Sequence, residues 1–218
     1  MKSLYFAATA AAFISTSFAA TLTVGNGVGT GGQETANGVV DSAGNLLIDS
    51  TGSAAFGVFN GSDFTSVGAI LSAFTEFGSS ETTFSAPGSP AFIETRGAFE
   101  ASGSSTDNAT FQNQPIVAIF GNATTLAAST ELAVVQLTAT FGDVSDPTAF
   151  LPDVRVSLAN TNSFLLGNQG PSRQVLGGAF GSGTSQPTFQ TTAPVPEPTT
   201  SLLLGGSLLA LGFRRRRA

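Results

Sequence analysis

Six acidic side chains have the type and distribution to do chemistry in this 218-residue sequence: Glu76, Glu81, Glu94, Glu100, Glu131 and Asp153. Two carboxylates flanking one bond can act as general acid and as base or nucleophile, the arrangement that hydrolyses glycosides. Composition closes the other common routes. Without His or Cys, the chain cannot build a Ser-His-Asp or Cys-His nucleophile, nor the His/Cys ligand sets of zinc and most transition metals. Lys2 is the sole lysine, so Schiff-base and Ser-Lys chemistry would disappear with an N-terminal leader. The chain has no Trp, and its one Tyr is Tyr5, which leaves Phe as the only aromatic for stacking a sugar. Nothing in the spacing brings two of the six acids together, and fourteen carboxylates over this length are ordinary for a solvated surface. The expectation is a protein that is not an enzyme, with no catalytic residue and no resident cofactor. Oxygen-only ligation suits calcium, and Asp143, Asp146 and Asp153 bracket a loop. Their spacing matches no EF-hand, so a solvated acidic turn is the simpler expectation.

Charge narrows the partners. The formal net charge is −6, but Lys2 and Arg214 to Arg217 sit at the two ends. Between Ala20 and Pro198 only Arg96, Arg155 and Arg173 stand against all fourteen carboxylates. Such a surface repels phosphate backbones, which argues against nucleic acid. Gly25, Gly27, Gly29, Gly31 and Gly32 form a glycine-rich loop, yet no Gly-Lys-Ser/Thr follows and no lysine is available to reach a phosphate. Zero cysteine rules out a disulfide framework, so stability must come from a packed core. About 175 residues between the two ends suffice for one such core.

The elements that must position these side chains read as mainly β. Low charge, 26 Gly and 19 Phe suggest short strands, many turns and an aromatic interior. Strands are expected at Thr21 to Val24, Ser53 to Asn60, Thr82 to Phe84, Phe92 to Thr95, Gly97 to Glu100, Val154 to Leu158 and Phe164 to Leu166, with Val175 to Phe180 pairing across a Gly167 to Ser172 turn. Val39 to Asp41 and Leu46 to Ile48 flank Ser42-Ala43-Gly44-Asn45 and read as a hairpin. Gly103 to Asn108 reads as a polar turn. The run Ile116-Val117-Ala118-Ile119-Phe120 has no alternation, which predicts burial on both faces, with Glu131 to Leu137 beside it as the central pair. One helix is expected, Asp63 to Phe77: Ser62 or Asp63 caps it, Val67, Ile70, Leu71, Phe74 and Phe77 form its apolar stripe, and Gly78 stops it. Phe-Gly occurs at Phe56, Phe77, Phe120, Phe141 and Phe180 without a repeat period and reads as punctuation at element ends. The architecture expected is one β-sandwich or jelly-roll-like domain with a single amphipathic helix, followed by a Ser182 to Pro194 linker. Asn60-Gly61-Ser62, Asn108-Ala109-Thr110 and Asn122-Ala123-Thr124 have the form of glycosylation sequons and read as turn composition.

Both termini look like processing segments. Lys2, the apolar Leu4 to Ile14 and the small-x-small Ser17-Phe18-Ala19 fit a signal peptide over residues 1–19, cut after Ala19 by signal peptidase. At the other end stand Val195-Pro196-Glu197-Pro198, an apolar run from Thr199 to Phe213, and Arg214-Arg215-Arg216-Arg217 before Ala218. The prolines fix φ and withhold amide donors, so this motif is expected to be extended and accessible. The guanidiniums favour a cytoplasmic basic end for a transmembrane helix. Fifteen residues make about 22 Å of helix against a bilayer core of about 30 Å, so the span requires snorkelling arginines and help from Val195 to Pro198.

Pro196-Glu197-Pro198, the apolar run and the arginine cluster together resemble the PEP-CTERM sorting signal of exported proteins in Gram-negative bacteria. Gln114-Pro115 through Ser129-Thr130-Glu131 is loosely similar to segments of other exported proteins of that kind, whose function is unknown. The resemblance implies recognition by an exosortase, cleavage near Pro196-Glu197-Pro198, transient anchoring in the membrane, and release to the cell surface or extracellular matrix. The function expected is then a non-catalytic surface or biofilm-associated matrix protein. The alternatives are a polysaccharide-binding sandwich module and a carboxylate-pair glycoside hydrolase.

Overall fold

The computed structural model describes residues 19–26, 37–48, 51–84, 99–143, 153–174 and 185–194, and the molecule is mainly β with open sheets. Its centre is a six-stranded sheet. Strand β3 (Ser53–Phe59) pairs antiparallel with β7 (Pro115–Gly121), which pairs with β8 (Leu132–Thr140), which pairs with β10 (Thr161–Leu166). On its other side β3 holds two short strands, β4 (Phe74–Glu76) and β5 (Thr82–Thr83). A second sheet has β1 (Ala20–Gly25) between β6 (Glu100–Ser105) and β9 (Asp153–Arg155), and a third has β12 (Ser185–Gln190) between β11 (Asn168–Gln174) and β2 (Val39–Val40).

The central sheet divides its side chains between two cores. Ala54, Phe56 and Val58, Ile116, Ala118 and Phe120, and Ala133, Val135 and Leu137 face one cluster, which they share with Leu22, Val24, Val39, Ala101, Val154 and Phe189 of the two smaller sheets. Their chain neighbours Ala55, Val117, Ile119, Leu132 and Val134 face the opposite cluster, beneath Ile70 of α1 (Val67–Ala73) and Leu126 of a 3-10 turn at Leu126–Ala128. Strand side chains alternate with period two, so a strand covered on both faces reads as an unbroken apolar run. That is the arrangement predicted for Ile116 to Phe120 and its partner.

The helix is shorter than the stripe predicts. Its N-cap is Ser66, whose side chain accepts a bond from the Ala69 amide at 3.1 Å. Asp63 caps the turn before it, accepting from the Thr65 amide and hydroxyl at 2.9 and 2.6 Å. Helix geometry stops at Ala73 because Phe74, Thr75 and Glu76 pair with Phe59, Val58 and Gly57. Phe74 and Ile70 belong to the outer cluster, whereas Phe77 is fully buried in the inner one. A helix lying on one face could not deliver both. Passing along the sheet edge as β4 lets the chain change faces.

Three further expectations fail for related reasons. Gly103 to Ser105 is strand, not turn, because β6 presents only Ala101 and Gly103 inward; a Cβ on Gly103 would lie 2.0 Å from the Phe77 carbonyl oxygen. The supposed Gly167 to Ser172 turn is mostly β11, with a register shift between Gly170 and Arg173 that accommodates Pro171. The expected linker is occupied by β12, whose Thr188 and Phe189 are completely buried. Among the described residues no helix is long and apolar enough to cross a membrane. Phe92 to Thr95, Val175 to Phe180, the signal segment up to Phe18 and the span Thr199 to Phe213 lie outside the described residues.

Phe-Gly has a packing role beyond punctuation. Phe56-Gly57 sits inside β3, and Phe56, Phe77, Phe120 and Phe141 are all buried. Phe77 touches Phe56, Phe111 and Phe141 at centroid separations of 5.7, 4.9 and 5.0 Å. A Cβ on Gly57 would lie 2.1 Å from the Thr75 carbonyl oxygen, and Gly78 has φ of +66°. At Phe56-Gly57 and Phe77-Gly78 the ring fills the core while the following glycine admits close backbone approach or a left-handed turn. Phe180 lies outside the described residues.

Phe77→Ala is expected to cost about 3–5 kcal/mol in denaturant unfolding, since it empties the point where three rings meet. Ser53 is fully buried and its hydroxyl has no hydrogen-bond partner. Ser53→Ala is therefore expected to raise the melting temperature, by the equivalent of about 1 kcal/mol.

Candidate functional site

Glu76, Glu81 and Glu131 are put to work on the backbone. Glu76, at the end of β4, accepts from the Glu81 amide at 2.6 Å and lies 3.2 Å from the Ser80 hydroxyl. Glu81 in turn accepts from the Leu126 amide at 2.6 Å, at the start of the 3-10 turn. Ser80 completes this corner by bonding both the amide and the carbonyl of Phe56, at 3.1 and 3.0 Å, in place of a missing strand residue. Thus Glu76 and Glu81 are neighbours, but each carboxylate is committed to an amide that would otherwise be unpaired where the chain turns. Glu100 is exposed on the outer face of β6. Glu94 and the side chain of Asp153 lie outside the described residues.

Glu131 organises a second polar corner. Its carboxylate accepts from the Ser42 amide at 2.8 Å, the Ser42 hydroxyl at 2.5 Å and the Thr191 hydroxyl at 2.8 Å. The Ser42-Ala43-Gly44-Asn45 turn is the predicted hairpin loop, closed by the Asp41 amide on the Asn45 carbonyl at 2.9 Å and by a Val40–Leu46 bridge. Gly44 takes φ of +83°, which suits glycine. Gln190 Nε2 donates to the Ser42 carbonyl at 3.0 Å, and Arg173 Nε donates to the Gly44 carbonyl at 2.8 Å. Through this turn the third sheet is joined to the head of β8. Asn122 holds the adjoining segment, its Oδ1 accepting from the amides of Thr130 and Glu131 at 2.9 and 3.1 Å. That engagement matches the turn reading of its sequon; Asn108 instead opens a short helix at Asn108–Phe111 and donates to Gln112 Oε1 at 3.1 Å.

Two buried asparagines stitch the smaller sheets together. Asn26 Oδ1 accepts from the Phe99 amide at 2.8 Å, and its Nδ2 donates to the Asn37 carbonyl at 2.9 Å. Asn37 donates to the Pro187 carbonyl at 2.8 Å and accepts from the Leu158 amide at 2.9 Å. With all these groups paired, two amides can be buried without the penalty of orphaned donors. Neither asparagine stands out in sequence, since the signal for such a residue is the backbone opposite it.

Asp143 is described, but Asp146 and the Asp153 side chain are not, so the calcium expectation lies partly outside the described residues. Among those residues no group of three acids is placed to hold a metal ion.

The chain stays paired to the central sheet beyond β12. After β12, Thr192 pairs antiparallel with Leu132, the Leu132 amide on the Thr192 carbonyl at 3.0 Å and the Thr192 amide on the Leu132 carbonyl at 2.9 Å. Thr191 is buried beside it. Sequence carried a signal for this strand, the β-branched and aromatic Thr188-Phe189-Gln190-Thr191-Thr192, which the surrounding Ser, Gln and Pro obscure. Pro196, Glu197, Pro198 and Arg214 to Arg217 lie outside the described residues.

Asp41 supplies a pH test of the corner. Burial pushes its carboxyl up, but bonds from the Asn45 side chain and from the amides of Asn45, Ala43 and Gly44 outweigh that and hold it below its ordinary 3.8. A depressed carboxylate stabilises the fold above its unfolded-state pKa and loses that contribution as pH falls through the folded value. Replacing it by Asp41→Asn is expected to flatten the loss of stability below about pH 4, measured by thermal melting. Glu131→Ala is expected to cost about 1–3 kcal/mol by denaturant unfolding, because it strips three donors of one acceptor.

No curated protein and no solved structure matches the chain. Residues 194–217, however, match the family described as the PEP-CTERM protein-sorting motif. The matched segment begins two residues beyond the Thr192–Leu132 pairing. The chain therefore carries at its C-terminal end the tag of an exosortase-sorted protein, exported to the cell envelope or surface.

Proposed function

We propose that the protein is a non-catalytic component of the cell surface or extracellular matrix, delivered by exosortase sorting and retained there as a single sandwich-type β domain. The observation that carries this reading is the sorting motif over residues 194–217. A chain without His or Cys has few routes to catalysis, and Glu76, Glu81 and Glu131 serve as acceptors for backbone amides. Phe56, Phe77, Phe84, Phe99, Phe120, Phe141 and Phe189 are spent inside the core, which favours a structural role over sugar stacking. On this reading signal peptidase removes residues 1–19, Thr199 to Phe213 anchors the chain transiently as a membrane span, and Arg214 to Arg217 stay inside until processing.

Fractionation of cells expressing the full chain with an exosortase tests it. The protein is expected in the envelope and the extracellular polysaccharide fraction, and Glu197→Ala combined with removal of Arg214 to Arg217 is expected to abolish that distribution. Confinement of the parent chain to the cytosol, or unaltered sorting of the variant, would sink the proposal.

A further inference from the structure

Asn-Gly occurs three times, at Asn26-Gly27, Asn37-Gly38 and Asn60-Gly61. The dipeptide is prone to cyclise, because glycine has no Cβ to obstruct attack by its main-chain nitrogen on the preceding carboxamide. The fold treats the three asparagines differently. Asn26 and Asn37 are buried, and each carboxamide is bonded at both ends, Asn26 to the Phe99 amide and the Asn37 carbonyl, Asn37 to the Leu158 amide and the Pro187 carbonyl. The Gly38 carbonyl is held as well, accepting from the Phe189 amide at 2.9 Å. Asn60 and Gly61 are both exposed, between the end of β3 and the Ser66 cap of α1. Among the described residues neither the Asn60 carboxamide nor the Gly61 amide has a hydrogen-bond partner. Packing nevertheless demands glycine there, since a Cβ on Gly61 would lie 2.5 Å from that of Ala73.

We propose that Asn60 is a site of spontaneous deamidation, and that the fold protects Asn26 and Asn37 from the same reaction. The Gly61 main-chain nitrogen gives its proton to hydroxide and attacks Asn60 Cγ. A bond forms between that nitrogen and Cγ, the Cγ–Nδ2 bond breaks, and Nδ2 leaves as ammonia after taking a proton from water. Water then opens the cyclic imide. Opening on the Cγ side leaves aspartate in the original main chain; opening on the main-chain carbonyl side leaves isoaspartate, with the chain now running through Cγ. Nothing is oxidised or reduced, and water is the co-reactant. Ring closure requires the carboxamide to rotate towards the next main-chain nitrogen, so at Asn26 and Asn37 it must wait until both bonds of the carboxamide open. Either product puts a new carboxylate beside Asp63, in the turn that the Phe59–Phe64 stack closes with ring centroids 5.5 Å apart, and isoaspartate lengthens the main chain there by a methylene. The outer end of β3 is where the chain ages first.

The test incubates the purified full chain at mildly alkaline pH, folded in buffer and unfolded in concentrated urea. Each Asn-Gly peptide is followed by mass spectrometry, and isoaspartate is read by methylation with an isoaspartyl methyltransferase. In buffer Asn60 is expected to convert faster than Asn26 and Asn37 by on the order of tenfold or more, the factor that about 1.4 kcal/mol of opening free energy supplies. In urea the three rates are expected to converge. Equal rates at the three sites in buffer, or faster conversion at Asn26 or Asn37, overturn the proposal. A gap that persists undiminished in urea overturns it too, because the difference would then belong to the local sequence and not to the fold.

Discussion

Strands β7 and β8 are covered on both faces, and a strand so placed sends alternate side chains into two separate cores. The rest of the architecture follows from supplying those covers. On one side α1 and the Leu126–Ala128 turn lie over Val117, Ile119 and Val134. On the other, two three-stranded sheets contribute Leu22, Val24, Ala101, Val39 and Phe189 to the cluster around Phe56 and Phe120. A chain serving both covers must cross from one side to the other, and β4 is where this happens. The sheet edge, with its unpaired ladder groups, captures Phe74 to Glu76, and the few tenths of a kcal/mol per residue that separate helix formers from one another cannot compete with that pairing.

The interior is built from phenylalanine and closed with glycine. Without cysteine or tryptophan, ring after ring supplies the apolar area, each Phe burying on the order of 150–250 Å². Rings that large hold neighbouring backbones apart unless small residues let them approach. Gly57 against Thr75 and Gly103 against Phe77 are two such approaches, and any side chain there would collide with a carbonyl oxygen. Aromatic bulk and glycine are thus two halves of one packing solution. Their joint abundance in the composition is a consequence of it.

What could be read from sequence follows the same division. The central pair was legible because double burial writes itself as an unbroken apolar run, and the Asp41–Asn45 hairpin because its turn chemistry is local. Strands β6, β11 and β12 were not, since their buried positions are few: Ala101 and Gly103 in β6, Thr188 and Phe189 in β12. With polar residues on the open face and prolines at 171 and 187, these strands have the composition of loops, and only their pairing partners make them strands. The acids were legible as candidates but not in their roles. Whether Glu131 faces another carboxylate or the Ser42 amide depends on which loop the fold folds back against it, information that is spread over ninety residues of chain. The sorting motif was legible because it is one contiguous run of residues.

The roles of those acids suit the address the motif carries. Three arginines cannot pair with fourteen carboxylates between Ala20 and Pro198, so a chain this acidic needs another way to hold its acids in a folded surface. Backbone amides and hydroxyls provide it at Asp41, Asp63, Glu76, Glu81, Asp107 and Glu131. A surface ion pair acts through charge, and it fades as ionic strength rises and the Debye length shortens to about 8 Å and below. A carboxylate bonded to an amide at the end of a helix or the closure of a turn keeps its short-range hydrogen bond at any salt concentration. For a protein exported beyond the cytoplasm, where no cell sets the ionic strength, corners fastened by carboxylate and amide are the more dependable fastening. At Asp41, Asp63 and Asp107, whose carboxyls these bonds hold below their ordinary value, acid is the vulnerability, because protonation weakens the acceptor on which the amides rely.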